Sequence, residues 1–269
     1  MSALAAAQGP TRVALRQLRR SRLALPGLVI VLLFIVGGVL APPSAAHWFG
    51  TDELGRDLFS RILYGARISL VEGLFSVALA MALGVPIGIV SGYLGGRADA
   101  VVMRVIDVLL AFPGVLLAIV IISILGPGLT NAIIAVAIYT VPIFARLARG
   151  STLVVKDEPY VEAARAAGLS DLRILARHIF PNISATLFVM MTLRVAISIL
   201  TAASLSFLGL GAQAPLPEWG AMLANSRNAM LIAPHVALFP GLATILLVFG
   251  LNLFQDGLRQ VLDPKLQDR

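Results

Sequence analysis

The sequence predicts an all-α membrane protein built from six transmembrane helices. Three observations predict it. Of 269 residues, 58% are hydrophobic and only 13% charged, with a mean hydropathy of +0.92, against about 25% charge in a soluble domain. Long uncharged runs recur along the chain, and the charges fall between them. So little polar material cannot cover a water-facing surface, so lipid is the solvent. Cysteine is absent, which excludes thiolate sites, and His47, His178 and His235 lie far apart, in no zinc-ligand spacing. The net charge of +7 does not indicate nucleic acid, because no basic face interleaved with aromatics accompanies it.

A span needs roughly 20 apolar residues. The first covers about 23–41, after an N-terminal tail of residues 1–22. Ser44-Ala45-Ala46 behind this run resembles a signal-peptide cleavage site. Pro42-Pro43 and five later spans argue against cleavage. The second span covers about 68–92, with Glu72 its only charge. Val108–Ala145 is uncharged and too long for one span, and Gly126-Pro127-Gly128 divides it into spans near 101–125 and 129–147. The fifth and sixth run near 183–208 and 236–254. With the N-terminus inside, inner segments carry sixteen Lys and Arg and the outer ones (42–67, 126–128, 209–235) four. This positive-inside bias places both termini in the cytoplasm.

The chain carries no chemistry of its own. A phosphate-cradling loop ends in Gly-Lys, but the two lysines, Lys156 and Lys265, follow Val155 and Pro264. No G-x-S-x-G, H-E-x-x-H or CxxC occurs, and no carboxylate pair lies in the membrane. The expectation is a non-enzyme without catalytic residue, metal or cofactor.

The most informative segment is the inner loop 156–182. Pro159 suits a first helical turn, and Tyr160–Ala167 is rich in helix formers. Gly168 sits where a helix would end in a left-handed residue. Ser170 then suits the N-cap of a second helix, Asp171–His178, which Pro181 ends. The unit is either a plain surface loop or a docking element for a soluble partner.

Glu162-Ala163-Ala164, with Gly168 six residues after the glutamate and Pro181 beyond, resembles the EAA loop of bacterial ABC importer permeases. His178 and Phe180 depart from that pattern, which prefers an aliphatic residue and a leucine there. Gly50-Thr51-Asp52-Glu53-Leu54-Gly55-Arg56-Asp57, Asp107-Val108-Leu109-Leu110-Ala111-Phe112-Pro113, Ser206-Phe207-Leu208-Gly209-Leu210-Gly211 and Asp256-Gly257-Leu258-Arg259 are similar to the dipeptide/oligopeptide/nickel group. The single N-terminal span and short outer segment look like its C-type permease. The resemblance implies a type I importer fold, a homologous second permease, two ATPase subunits holding ATP and magnesium, and an external substrate-binding protein. It implies that Glu162, Ala163, Ala164 and Gly168 couple to the ATPases, with Pro181 closing the loop. It also implies import of di- or oligopeptides, nickel or another small solute.

Some residues keep two readings. Arg194, charged inside the fifth span, either lines the path or pairs with Asp107, or else snorkels to the surface. Gly84, Gly88, Gly92 and Gly96 recur every fourth residue, as helix packing requires; a hinge at Pro86 is the other reading. The Asp52–Arg61 stretch either caps the outer mouth or meets a binding protein. An autonomous secondary transporter or channel would need intramembrane carboxylates, and Glu72 and Asp107 stand near expected span ends.

Overall fold

The computed structural model describes residues 48–262 and, upstream, Pro26. The N-terminal tail, the first expected span (Pro26 apart) and Asp263-Pro264 lie outside the described residues. Among the described residues the chain is helical, with one isolated antiparallel bridge between Thr51 and Asp57.

Asp57 starts α1, Leu58–Leu94, by accepting the Ser60 N–H at 2.7 Å. The helix begins ten residues before the expected span, so the outer segment 42–67 is helical from Leu58 onward. Its 37 residues rise about 55 Å, well beyond the ~30 Å hydrocarbon core. Gly95, at φ +64°, stops it and turns the chain into α2, Gly96–Ala111.

The expected span 101–125 is not one helix. Phe112 is extended at φ −84° and ψ 136°, and Pro113 precedes α3, Gly114–Leu125. The α2 and α3 axes are bent by 93°. A proline ring clashes with an α-helical residue before it and brings no N–H for the i−4 carbonyl. Hydropathy reads straight through such a break.

After Gly126-Pro127-Gly128, α4 runs Leu129–Val155, eight residues past the expected end. Two short elements follow, α5 (Pro159–Ala166) and α6 (Asp171–Ile174). A π turn, Leu175–Ile179, leads directly into α7, Phe180–Phe207. The short α8, Trp219–Asn225, and α9, His235–Leu262, complete the described chain. Among the described residues, four helices are long and apolar enough to cross a membrane, and the bent α2–α3 pair makes up to five.

The core forms where α1 lies along α4 and α7, around Ala66, Val77, Ala80, Phe144, Leu187 and Ile199. A smaller cluster joins α3, α4 and α7 through Ile122, Ala135 and Leu205. The outer faces are apolar too: Phe75, Val120, Ile124, Ile245 and Phe249 are exposed. That pattern suits lipid or another apolar chain and would be a liability in water.

Candidate functional site

The loop after α4 is built from helix stops and starts. Pro159 opens α5 at N1, where its missing N–H costs nothing. The Leu169 N–H reaches the Ala164 carbonyl at 3.2 Å and the Gly168 N–H reaches Arg165 at 3.0 Å. With Gly168 at φ +79°, this is a Schellman stop. Ser170 occupies the N-cap of α6, yet its side chain makes no capping bond.

Amphipathic spacing decides what the loop shows. Val161, Ala164, Ile174 and Ile179 are buried in the end of the core. Glu162, Ala163, Arg165, Ala166 and Gly168 point to solvent, joined by Tyr160 and by Leu172, which is 77% exposed. The result is a small exposed face with an acid, a base, two alanines and an apolar tip. It holds no nucleophile and base pair, and no group of three potential metal ligands occurs among the described residues.

Pro181 does not end the second helix. It lies in the first turn of α7, which continues from α6 through the π turn. The Phe180 N–H bonds the Leu175 carbonyl five residues back. Widening the turn by one residue makes room for the proline ring where a regular helix would clash. The Asn182 side-chain amide takes up the His178 carbonyl.

Polar contacts that sequence reasoning missed fasten the loop to the helices. The Tyr93 hydroxyl, in the last turn of α1, donates to Asp171 Oδ1 at 2.6 Å. The Arg165 guanidinium sits 5.7 Å from the Tyr93 ring centre. Lys156 Nζ donates to the Gly92 carbonyl at 3.0 Å. Beside them, Arg149 Nε donates to Asp99 Oδ1 at 2.6 Å, its Nη2 to Oδ2, and the Ser91 hydroxyl also to Asp99. These partners lie 50–78 residues apart in pairs such as Asp99–Arg149 and Tyr93–Asp171, so no local pattern announces them.

Other residues singled out from sequence separate. Asp107 pairs with Arg146 on α4, not with Arg194. Arg194 Nε is buried without a hydrogen-bond partner. Gly84, Gly88 and Gly92 face α4: a Cβ on them would meet the Val141, Ala145 and Arg149 carbonyl oxygens at 2.5, 2.1 and 2.9 Å. Gly96 does not share that seam; it opens α2 at φ +60° in open space. Glu72 is not near a helix end: it is 1% exposed well inside α1, and neither carboxyl oxygen has a hydrogen-bond partner.

At the far end of α1, Glu218 caps α8 by accepting the Gly220 and Ala221 N–H groups at 2.8 Å each. Burial pushes its carboxyl above the usual range, although those N–H groups oppose the shift. Trp219 Nε1 donates to the Ile62 carbonyl at 2.9 Å. In the turn before α1, Asp52 accepts from Arg56 Nε at 2.7 Å and from the Leu54 and Arg56 N–H groups. Burial works against its ionised form, but these bonds together hold its carboxyl below the usual value.

This arrangement, long apolar helices and a small loop locked to their ends, meets its counterpart among known proteins. The family described as binding-protein-dependent transport system inner membrane component matches residues 84–268. The chain belongs to that family of transport permeases. Residues 9–52 match the N-terminal TM domain of oligopeptide transport permease C. The glutathione transport system permease protein GsiD of Pectobacterium atrosepticum is 56% identical over 84% of this chain and 75% of its own length. GsiD of Escherichia coli O157:H7 is 50% identical over 94% and 89%. The dipeptide transport system permease protein DppC of Alkalihalophilus pseudofirmus is 47% identical over 97% and 92%. Among solved structures, a chain of the MetNI methionine ABC transporter in an inward-facing conformation shares the fold, with a TM-score of 0.63 at 19% identity. That match covers 78% of this chain and 99% of that one. Family membership and the apolar helices make this permease a multi-pass inner-membrane protein.

Proposed function

We propose that this permease is one half of the membrane channel of an ATP-driven importer of short peptides, glutathione and dipeptides foremost. The observation that carries the reading is the loop face at Glu162, Ala163 and Ala166, presented by the buried anchors Val161 and Ala164. An exposed, rigidly backed helix on an otherwise apolar chain suits a soluble partner. The relatives named for glutathione and dipeptide transport supply the substrate class.

In this reading the chain crosses the membrane six times, counting the span at 23–41, with both termini and the loop in the cytoplasm. Two ATPase subunits, which bind ATP and magnesium, dock against the loops of this chain and of a second, homologous permease. A substrate-binding protein delivers peptide at the α8 end. Closure of the ATPases pushes α5, and the helices open the path between the two permeases.

The test is co-purification. Tagged wild-type permease should bring down its ATPase subunits, and Glu162→Lys should cut their recovery by roughly tenfold. Labelled glutathione and Ala-Ala should then enter proteoliposomes only with ATP. Unchanged recovery, or uptake without ATP, would contradict the proposal. The buried, unpartnered Glu72 is what a proton-coupled carrier would also need, so uptake driven by a proton gradient alone would favour that class instead.

A further inference from the structure

Resting on the coupling role just proposed, we infer that the Tyr93–Asp171 hydrogen bond is the clasp through which the loop moves the membrane helices. α5 is backed by its buried Val161 and Ala164 and is packed against α6. A push on its outer face leaves the loop through those buried side chains, through the continuous α6–α7 helix and through the polar contacts at the rim. Apolar contact alone slides; a directional hydrogen bond to a charged acceptor holds its geometry.

Tyr93 has the right place for that task. It stands in the last turn of α1, one residue from Gly92, whose carbonyl accepts Lys156 Nζ at 3.0 Å. Its hydroxyl bonds Asp171 at 2.6 Å, at the start of the unbroken α6–α7 helix. Arg165 of α5 lies over its ring at 5.7 Å. One side chain thus joins α5, the start of α6 and the foot of α1. α1 in turn is fitted to α4 along Gly84, Gly88 and Gly92. Motion delivered to Tyr93 therefore reaches three long helices as one body, and reaches the Trp219–Ile62 contact at the other end of α1. Tyr93 and Asp171 are positioning residues: neither needs to touch peptide or nucleotide.

The experiment uses the complete transporter, purified with its own ATPases and reconstituted with its binding protein. It measures Ala-Ala uptake and ATP hydrolysis in the same vesicles. Tyr93→Phe keeps the ring under the Arg165 guanidinium. It removes the hydroxyl that serves both Asp171 and Arg165, so Asp171→Ala is the variant that removes the Asp171 bond alone. Uptake per ATP should fall by roughly five- to tenfold while ATPase recovery stays at the wild-type level. Asp171 is exposed, so Asp171→Ala serves if Tyr93→Phe assembles poorly, and the same loss is expected. Asp171→Asn keeps an acceptor and should restore uptake to within about twofold. The double variant Tyr93→Phe/Asp171→Ala should be no worse than either single one. An unchanged uptake-to-hydrolysis ratio in Tyr93→Phe or in Asp171→Ala overturns the clasp. Loss of ATPase recovery on Glu162→Lys alongside that unchanged ratio leaves the docking role standing and removes only this one.

Discussion

The seam between α1 and α4 and the loop at 156–179 are held by opposite means. Along the seam, backbones meet: Gly88 leaves so little room that a Cβ would lie 2.1 Å from the Ala145 carbonyl oxygen. At the loop, side chains reach across gaps, as Tyr93 to Asp171 and Lys156 to Gly92 do. The seam also needs no water to satisfy its polar groups, since helix backbones pair internally. The loop seats Val161, Ala164, Ile174 and Ile179 in the end of the core and adds these polar contacts at its rim. A body that must move as a unit is fused by shape, and the handle that moves it is pinned by chemistry.

The sharpest way to break that contrast is to wedge the seam. Gly88→Leu should destabilise the permease by about 3 kcal/mol or more through overpacking, read as loss of monodisperse protein and a lower Tm in detergent. Arg149→Ala comes next. It leaves the Asp99 carboxylate, whose side chain is only 12% exposed, without its bidentate donor, at about 2 kcal/mol. A Tm shift should follow, together with faster hydrogen exchange where α1 meets α2. Gly168→Ala should be the mildest. Nothing lies within 4 Å of its would-be Cβ, so the expected cost is only about 1 kcal/mol of left-handed strain. Exchange should quicken at the Leu169 amide, with Tm nearly unchanged and Gly168→Asn milder still. If Gly168→Ala harmed Tm as much as Gly88→Leu, the two regions would not differ as described.

The same contrast governs what was legible in the sequence. A glycine every fourth residue reads directly as close helix approach, and Gly168 reads as a stop, because each signal is local. Gly96 shares the spacing but not the helix: Gly95 had already turned the chain. Phe112-Pro113 lies inside an apolar run, and hydropathy carries no direction, so a 93° elbow passed for a straight span. Pro181 argued for a helix end because an α-helix rejects an internal proline; the i−5 bond at Phe180 is an alternative that composition does not encode. The contacts of Tyr93 and Asp99 join residues far apart in the chain and were invisible for that reason. The apolar helices themselves were plain, since the bilayer demands them.

The π turn at Leu175–Ile179 is also a phase shifter. One extra residue in a single turn offsets everything before it by about 100° of rotation relative to a regular helix. Asp171 faces Tyr93 while Leu187, Ile199 and Ala202 on the same continuous helix face the core. Removing one residue there, Ala176 for example, would let a smooth helix form only by turning one of these two sets away. The loop and the membrane domain are therefore kept in register by a single surplus residue.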